Sequence, residues 1–374
     1  MADTLSEHRG YLVDKRRAEL YRMAISRIVT GNETVADLGC GFGVLGMMCL
    51  RAGAAHAWGI DATDATDIAR ETAQRSGLAD RYTCIRAETF RAKLPDRVDI
   101  LICDHVGYFG IDYGILHLMA DARERFLKPG GRIIPERINL FLAGVRSDAC
   151  REKLDLWETP DVPADYTWLR SYAVSTKHAV DLVPTEIATA PVPVAELVLG
   201  ENHDESLAFK ATLAIEEDGT LDGIAGWFDC HLAAGVRMTN SPLARNAIGR
   251  HQIFLGFDQP LPVREGDAVE VSVRINHING ILAWTVRDPA TGRLQRYSNW
   301  AAMPMSAGAR LKPGTAPRSL NDKARHLGVV LGYIDGQRTS EEIEQAVLRD
   351  HPALLPSALE ISRFVKDVLA DYAT

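Results

Sequence analysis

Apolar residues recur at helical spacing near the start of the chain. Over residues 8–29, Leu12, Leu20, Met23, Ile25 and Ile28 are separated by charged positions, which predicts one helix. The stretch TVADLGCGFGVLGMMCLRAG then reads as strand, glycine loop and helix. AHAWGIDA predicts a second strand ending on Asp61, and ATDIARETAQRSG a helix that stops at a glycine. YTCIRAE and VDILICD predict a third and a fourth strand. GILHLMADARERFL predicts a long helix closed by a turn at KPGG, and RIIPERINLFLAGV one or two further strands. Strands alternating with helices at this spacing predict a parallel, doubly wound α/β sheet.

After about residue 145 the period changes from helical to alternating. HQIFLGF, AVEVSVRI and ILAWTVRD place apolar side chains at every second position, which predicts an antiparallel β domain, a barrel or a sandwich. Residues 150–178 interrupt it with Trp157, Tyr166 and Trp168. The segment SAGARLKPGTAPRS reads as a linker, and TSEEIEQAVLRDHP beyond it as a helix with a threonine or serine N-cap and early glutamates. Three units follow from this reading: an α/β domain with its N-terminal helix over 1–145, a β domain over 146–305 and a small helical C-terminal unit over 315–374.

Composition narrows the function class. The 374 residues are 46% hydrophobic and 25% charged, as expected of a soluble globular protein. A formal net charge of -8 argues against a nucleic-acid grip by bulk charge. No apolar run approaches a membrane span, and the first residues do not read as a signal peptide. The six cysteines, Cys40, Cys49, Cys84, Cys103, Cys150 and Cys230, show no CxxC spacing, so neither a metal site nor a redox pair is suggested. Reduced thiols point to the cytoplasm.

The candidate chemistry starts at ADLGCGFG. Gly39, Gly41 and Gly43 between a strand and a helix let the backbone approach a ligand closely. A dinucleotide site would show GxGxxG, and the GCGFGVLG spacing misplaces its last glycine. Asp37 before the loop suits a ligand ammonium. Asp61 at the end of the next strand suits both hydroxyls of a ribose, and Glu88 follows the third strand at the far end of the same crevice. Arg17 suits a ligand carboxylate, which a guanidinium binds bidentately.

Several segments, in order, carry a resemblance. HRGYLVDKRRAELYR holds His8, Leu12, Asp14, Arg17, Tyr21 and Arg22 at a characteristic spacing, followed by VADLGCGFGVLGMMCLRAGA, VGYF, ARERFLKPGGRIIPER and DQPLPVREGD. Over about residues 8–300 the chain resembles the protein arginine methyltransferases. The resemblance implies a Rossmann-like domain that binds S-adenosyl-L-methionine and releases S-adenosyl-L-homocysteine, a β-barrel, and a homodimer built by an arm, here about residues 150–178. It implies that Arg17 pairs with the methionine carboxylate, that His8 lies beside it, and that Asp37, Gly39, Gly41, Asp61 and Glu88 hold the rest. The C-terminal unit, through DGQRTSEEI, resembles small peptide-binding domains of peptide-modifying biosynthetic enzymes; a helical cap packed on the core is the preferred reading.

The acceptor end departs from the family. Its two loop glutamates correspond in CDHVGYFGIDYGIL to Asp104 and Tyr113, with Asp112 just before the second, and His105 replaces an aromatic residue. The family's Thr-His-Trp loop corresponds to Ile248, Gly249 and Arg250, with His251 next. Two mechanisms stay open. Asp104 and Asp112 clamp a cationic acceptor, or His105 acts as a general base toward an imidazole, amine or hydroxyl. Arg250 and His251 suit an acceptor carboxylate, that of a free amino acid or a peptide end. Arginine is the leading acceptor. The rivals are N- or O-methylation of another small molecule or peptide, and a catalytically silent member that acts by binding.

Overall fold

A computed structural model gives the structure of residues 2–301 and 319–373. It contains two compact units, Met1–Pro304 and Met305–Thr374. The first opens on α1 (Ala2–Val13) and α2 (Lys15–Ile28). One continuous helix was expected over 8–29, and Asp14 divides it. Its carboxylate accepts from the Arg17 backbone N–H at 2.9 Å and caps the start of α2. Helix α2 buries Arg17, Leu20, Tyr21, Ala24, Ile25 and Ile28, a single stripe at spacings of three and four. Arg17 therefore points inward from an otherwise apolar stripe.

The parallel sheet follows: β1 (Thr34–Leu38), α3 (Val44–Ala52), β2 (His56–Asp61), α4 (Ala65–Arg75), β3 (Tyr82–Arg86), β4 (Val98–Cys103), α5 (Ile115–Phe126) and β5 (Leu127–Ile134). Strand order is β3-β2-β1-β4-β5, with parallel pairing throughout. Strand β4 is a near-continuous apolar run because both faces are covered. The order reverses direction beside β1, so a crevice opens beyond the carboxyl ends of β1 and β4. KPGG, expected as a turn, lies inside β5. Gly130 takes φ +76°, and the register against β4 shifts between Val98 and Ile100 to absorb the irregularity.

The remainder of this unit is antiparallel. It comprises β6 (Arg137–Val145), α6 (Asp148–Asp155), α7 (Arg170–Val174), β7 (Lys177–Val180), β8 (Val192–Val198), β9 (Ser206–Ala214), β10 (Gly219–Ala233), β11 (Val236–Thr239), β12 (Gln252–Val263), β13 (Ala268–Asn276), β14 (Ile281–Arg287) and β15 (Leu294–Ser298). These strands form two sheets, ordered β7-β12-β10-β6-β8 with β11 on β10, and β15-β14-β13-β9. Burial alternates along β9 and β13, as the period-2 pattern predicts.

Helices α6 and α7, joined by short 3-10 turns, occupy the aromatic segment. Tyr166 and Trp168 stand exposed there, 54% and 52%, while Trp157 is half-buried. Arg151 and Arg170 bind this segment to β12. Arg151 donates to the Phe257 carbonyl at 2.9 Å, and Arg170 pairs with Asp258 at 2.5 Å and with Asp155 at 2.9 Å.

The second unit holds α8 (Asp322–Leu331), α9 (Ser340–Asp350) and α10 (Ala358–Tyr372). Thr339 and Glu342 form the capping box that starts α9. This unit encloses a core of its own, built on Val330, Ile343, Val347, Ile361, Val365, Val368 and Leu369. The linker from residue 306, and the domain limits set near 305 and 315, lie outside the described residues.

Candidate active site

A cavity of about 820 Å³ lies at the carboxyl edge of the parallel sheet. It gathers His8, Arg17, Asp37, Gly39, Gly41, Asp61, Glu88, Asp104, His105 and Tyr113 from segments up to a hundred residues apart. Tyr11, Phe42, Phe90, His117 and Ile278 complete much of the wall, and none of these was expected there. Their signals were weak, since single aromatic residues in loops or at helix ends show no period.

The glycine loop forms the floor. Gly39 and Gly41 take φ of +63° and +50°, where side chains are disfavoured. A Cβ on Gly39 would lie 2.1 Å from Nε2 of His105, and one on Gly41 2.4 Å from Nε2 of His8. Two imidazoles thus lie directly on the loop. His8 also stacks on Phe42, with ring centroids 4.3 Å apart.

The carboxylates around the loop differ in environment. Asp61 is tied into it: Oδ2 accepts from the Gly41 amide at 2.9 Å, and Oδ1 accepts from the Thr63 amide and hydroxyl at 2.9 and 2.7 Å. Asp37 is buried and accepts from the Gly46 amide at 2.8 Å. Burial, reinforced by the charge of Asp61, pushes its carboxyl up to about 7. Glu88 is exposed at the rim, 3.5 Å from Arg91. Arg125 on α5 donates to the carbonyls of Thr89 and Ala92 and so fixes the segment that carries Glu88 and Phe90.

Beside the glycine loop, Asp104 follows β4 with its side chain only 8% exposed. Expected to clamp a cationic acceptor, it is here the centre of an ion-pair set. Oδ2 accepts from Nε of Arg17 and from Nη2 of Arg250 at 3.0 Å, while Oδ1 accepts from Nη1 of Arg250 at 3.4 Å and from the Tyr21 hydroxyl at 3.0 Å. Burial opposes the charge, but the two guanidiniums win and hold the carboxyl down at about 2. The Tyr11 ring lies 5.2 Å from the Arg17 guanidinium and 5.5 Å from that of Arg250.

The other loop residues separate. Asp112, expected at the acceptor, does not line the cavity. Its carboxylate accepts from the amides of Tyr108 and Phe109 at 3.0 and 2.9 Å and pairs with Lys177 at 2.6 Å, so it shapes the loop from within. Tyr113 reaches the cavity, half exposed, edge-on to Tyr108. His251, expected beside Arg250 as a carboxylate partner, pairs with Asp181 at 2.6 Å on an exposed face.

Comparison with known proteins follows this division. Residues 20–138 match a family described as ribosomal protein L11 methyltransferase, and residues 136–281 match the arginine methyltransferase oligomerization subdomain. Protein arginine N-methyltransferase 1 of Saccharomyces cerevisiae is 29% identical over 282 residues, 70% of this chain and 78% of its own length. Protein arginine N-methyltransferase PRMT10 of Oryza sativa subsp. japonica is 28% identical over 306 residues, 72% of this chain and 80% of its own. Among solved structures, the Trypanosoma brucei PRMT1 enzyme-prozyme complex with AdoHcy superposes with a TM-score of 0.70 at 22% identity, covering 79% of this chain and 96% of that one. Arabidopsis thaliana protein arginine methyltransferase 10 superposes with a TM-score of 0.69 at 21% identity, covering 79% and 98%.

Proposed function

The chain belongs to the protein arginine methyltransferase family, and we propose that it transfers a methyl group from S-adenosyl-L-methionine to a guanidinium nitrogen of arginine. The observation that carries this reading is one cavity lined by both a glycine loop and a buried, ionised carboxylate, Asp104.

The donor set fits the cofactor. Asp61 suits vicinal ribose hydroxyls, Asp37 an ammonium, Arg17 a carboxylate, and the loop admits close approach because a Cβ at Gly39 or Gly41 has no room. When bound, the cofactor would supply an electrophilic methyl on sulfonium sulfur, so that methylation of a guanidinium nitrogen would release S-adenosyl-L-homocysteine and one proton to solvent. The chain's own residues do the positioning. Asp61 is locked by Gly41 and Thr63. Arg17 is held inward by its place on the buried stripe of α2. Asp104 stays ionised across the physiological range and attracts the acceptor guanidinium. Such transfer depends chiefly on alignment, which the side chains fixed on the loop and on α2 provide.

We assign the cofactor to residues 1–145 and the acceptor to 146–305, with the two antiparallel sheets as walls of one barrel. The arm at about 150–178 makes a homodimer, supported by the matched oligomerization subdomain and by the exposed Tyr166 and Trp168. A cytoplasmic location is supported by six cysteines that all stand as free thiols. The full chain is incubated with methyl-labelled cofactor and arginine-bearing acceptors, and methylarginine is isolated from the products. Label on arginine is the expected result. Bound S-adenosyl-L-homocysteine with no label on any guanidine refutes the assignment.

A further inference from the structure

Two guanidiniums share one carboxylate at the acceptor end. A carboxylate offers about four lone-pair directions, and Asp104 uses them on Arg17, twice on Arg250, and on Tyr21. Both arginines are buried, with side chains 6% and 8% exposed. Asp37, the nearby acid, pairs with neither arginine; it accepts from the Gly46 amide, and its carboxyl is pushed up to about 7. The cluster therefore carries one more positive charge than it neutralises.

On the reading above, the cofactor's carboxylate takes Arg17, and Arg250 remains on Asp104. Arg250 cannot leave readily. Its backbone N–H bonds the Ile248 carbonyl at 2.8 Å, and the Gly249 amide donates to Asp14 at 3.0 Å. A bare guanidinium that takes the place Arg17 leaves on Asp104 puts two buried cations on one carboxylate with nothing to neutralise the second, which is costly. An acceptor that also brings a carboxylate completes two pairs: its guanidinium on Asp104, its carboxylate on Arg250 in the forked geometry that arginine favours. Arg250 contacts Asp104 at 3.0 Å and the Tyr11 ring at 5.5 Å, and both of those residues line the cavity.

We propose that Arg250 determines acceptor specificity, selecting an arginine that carries a free α-carboxylate over one whose carboxyl is blocked or absent. The inference rests on the guanidinium-methylation reading. The test compares kcat/KM of the full chain for four guanidines: free arginine, N-acetylarginine, N-acetylarginine amide and agmatine. Arginine and N-acetylarginine are expected to exceed the amide and agmatine by about tenfold or more. The ratio between the first two separates a free amino acid from a peptide C-terminus. Arg250→Gln is expected to bring all four close together, and Arg250→Lys to keep most of the preference. A thermal melt and S-adenosyl-L-homocysteine affinity are measured for each variant to establish folding. Equal kcat/KM for arginine and agmatine in the wild type overturns the proposal whatever the variants do, and so does a preference that survives Arg250→Gln. Methyl on none of the four, while an arginine-bearing peptide is labelled, overturns this inference and leaves the guanidinium reading standing.

Discussion

Asp104→Asn keeps the shape of the side chain and removes its charge, so it isolates the electrostatic role of the residue. The carboxyl is held at about 2, some two pKa units below the ordinary carboxylate value near 4, so ionisation in the folded state contributes about 2–3 kcal/mol. Removing one partner from a buried ion pair costs about 3–5 kcal/mol in comparable cases. Here the Tyr21 hydroxyl and part of the Arg250 contact survive on the amide oxygen, which favours the lower end. We expect unfolding free energy to drop by about 3 kcal/mol, read from denaturant midpoints. The sign with pH follows from a lowered pKa. The contribution is present above about pH 4 and is lost as pH falls through about 2, so the gap between wild type and variant should narrow in acid. Turnover should fall on the order of a hundredfold, as when a key electrostatic stabiliser is lost. Affinity for S-adenosyl-L-homocysteine should not fall, because Arg17 loses the carboxylate that competes with the ligand's own. His105→Ala is the contrast. A clamp mechanism makes Asp104→Asn the more damaging change, and a base mechanism makes His105→Ala so. Unchanged stability and unchanged turnover in Asp104→Asn would refute the account of this site.

Further expectations attach to the other features. Asp61→Ala should weaken S-adenosyl-L-homocysteine binding at least about tenfold, roughly 1.4 kcal/mol. Gly39→Val should do so too, by driving a side chain into His105 at a φ of +63°; calorimetry that finds both variants unaffected removes the cofactor assignment. Asp37 has a raised pKa, about 7, so its contribution to stability is complete below about pH 4 and is lost as pH rises through 7. The ionised form attracts a ligand ammonium, so binding should be tighter at pH 8 than at pH 6, and this pH dependence should vanish in Asp37→Asn. Replacing residues 155–168 with a Gly-Ser linker should convert a dimer to a monomer in sedimentation, and retention of the wild-type assembly would eliminate the arm as its source.

The legible parts of the chain were those whose partners are close in sequence. ADLGCGFG declares a glycine loop because strand, loop and helix lie within twenty residues. Asp61 follows because the next strand must end at the same sheet edge. The break at Asp14 was equally local, an N-cap acid ahead of KRRAEL, but the helical period on both sides masked it. Asp112 was misjudged for a different reason. An acid in a glycine-containing loop is written the same way whether it faces a ligand or captures its own amides, and here Tyr108 and Phe109 hold it. The Asp104–Arg250 pair spans 146 residues, and no periodicity or spacing reports such a contact.

The glycine loop and the Asp104 cluster are accordingly built on different principles. The loop comes from consecutive strand–loop–helix units, so its geometry is as robust as the parallel sheet. The cluster is assembled from α2, the loop after β4 and the segment before β12, and its charges are set by how those three meet. Asp14 joins two of them. One oxygen caps α2 at the Arg17 amide and the other accepts from the Gly249 amide. A single carboxylate thus positions the backbone beneath both guanidiniums that converge on Asp104. Substitution at the acceptor loop alone would leave those cations unpaired, whereas substitution at residue 250 changes the charge without disturbing the cofactor's floor.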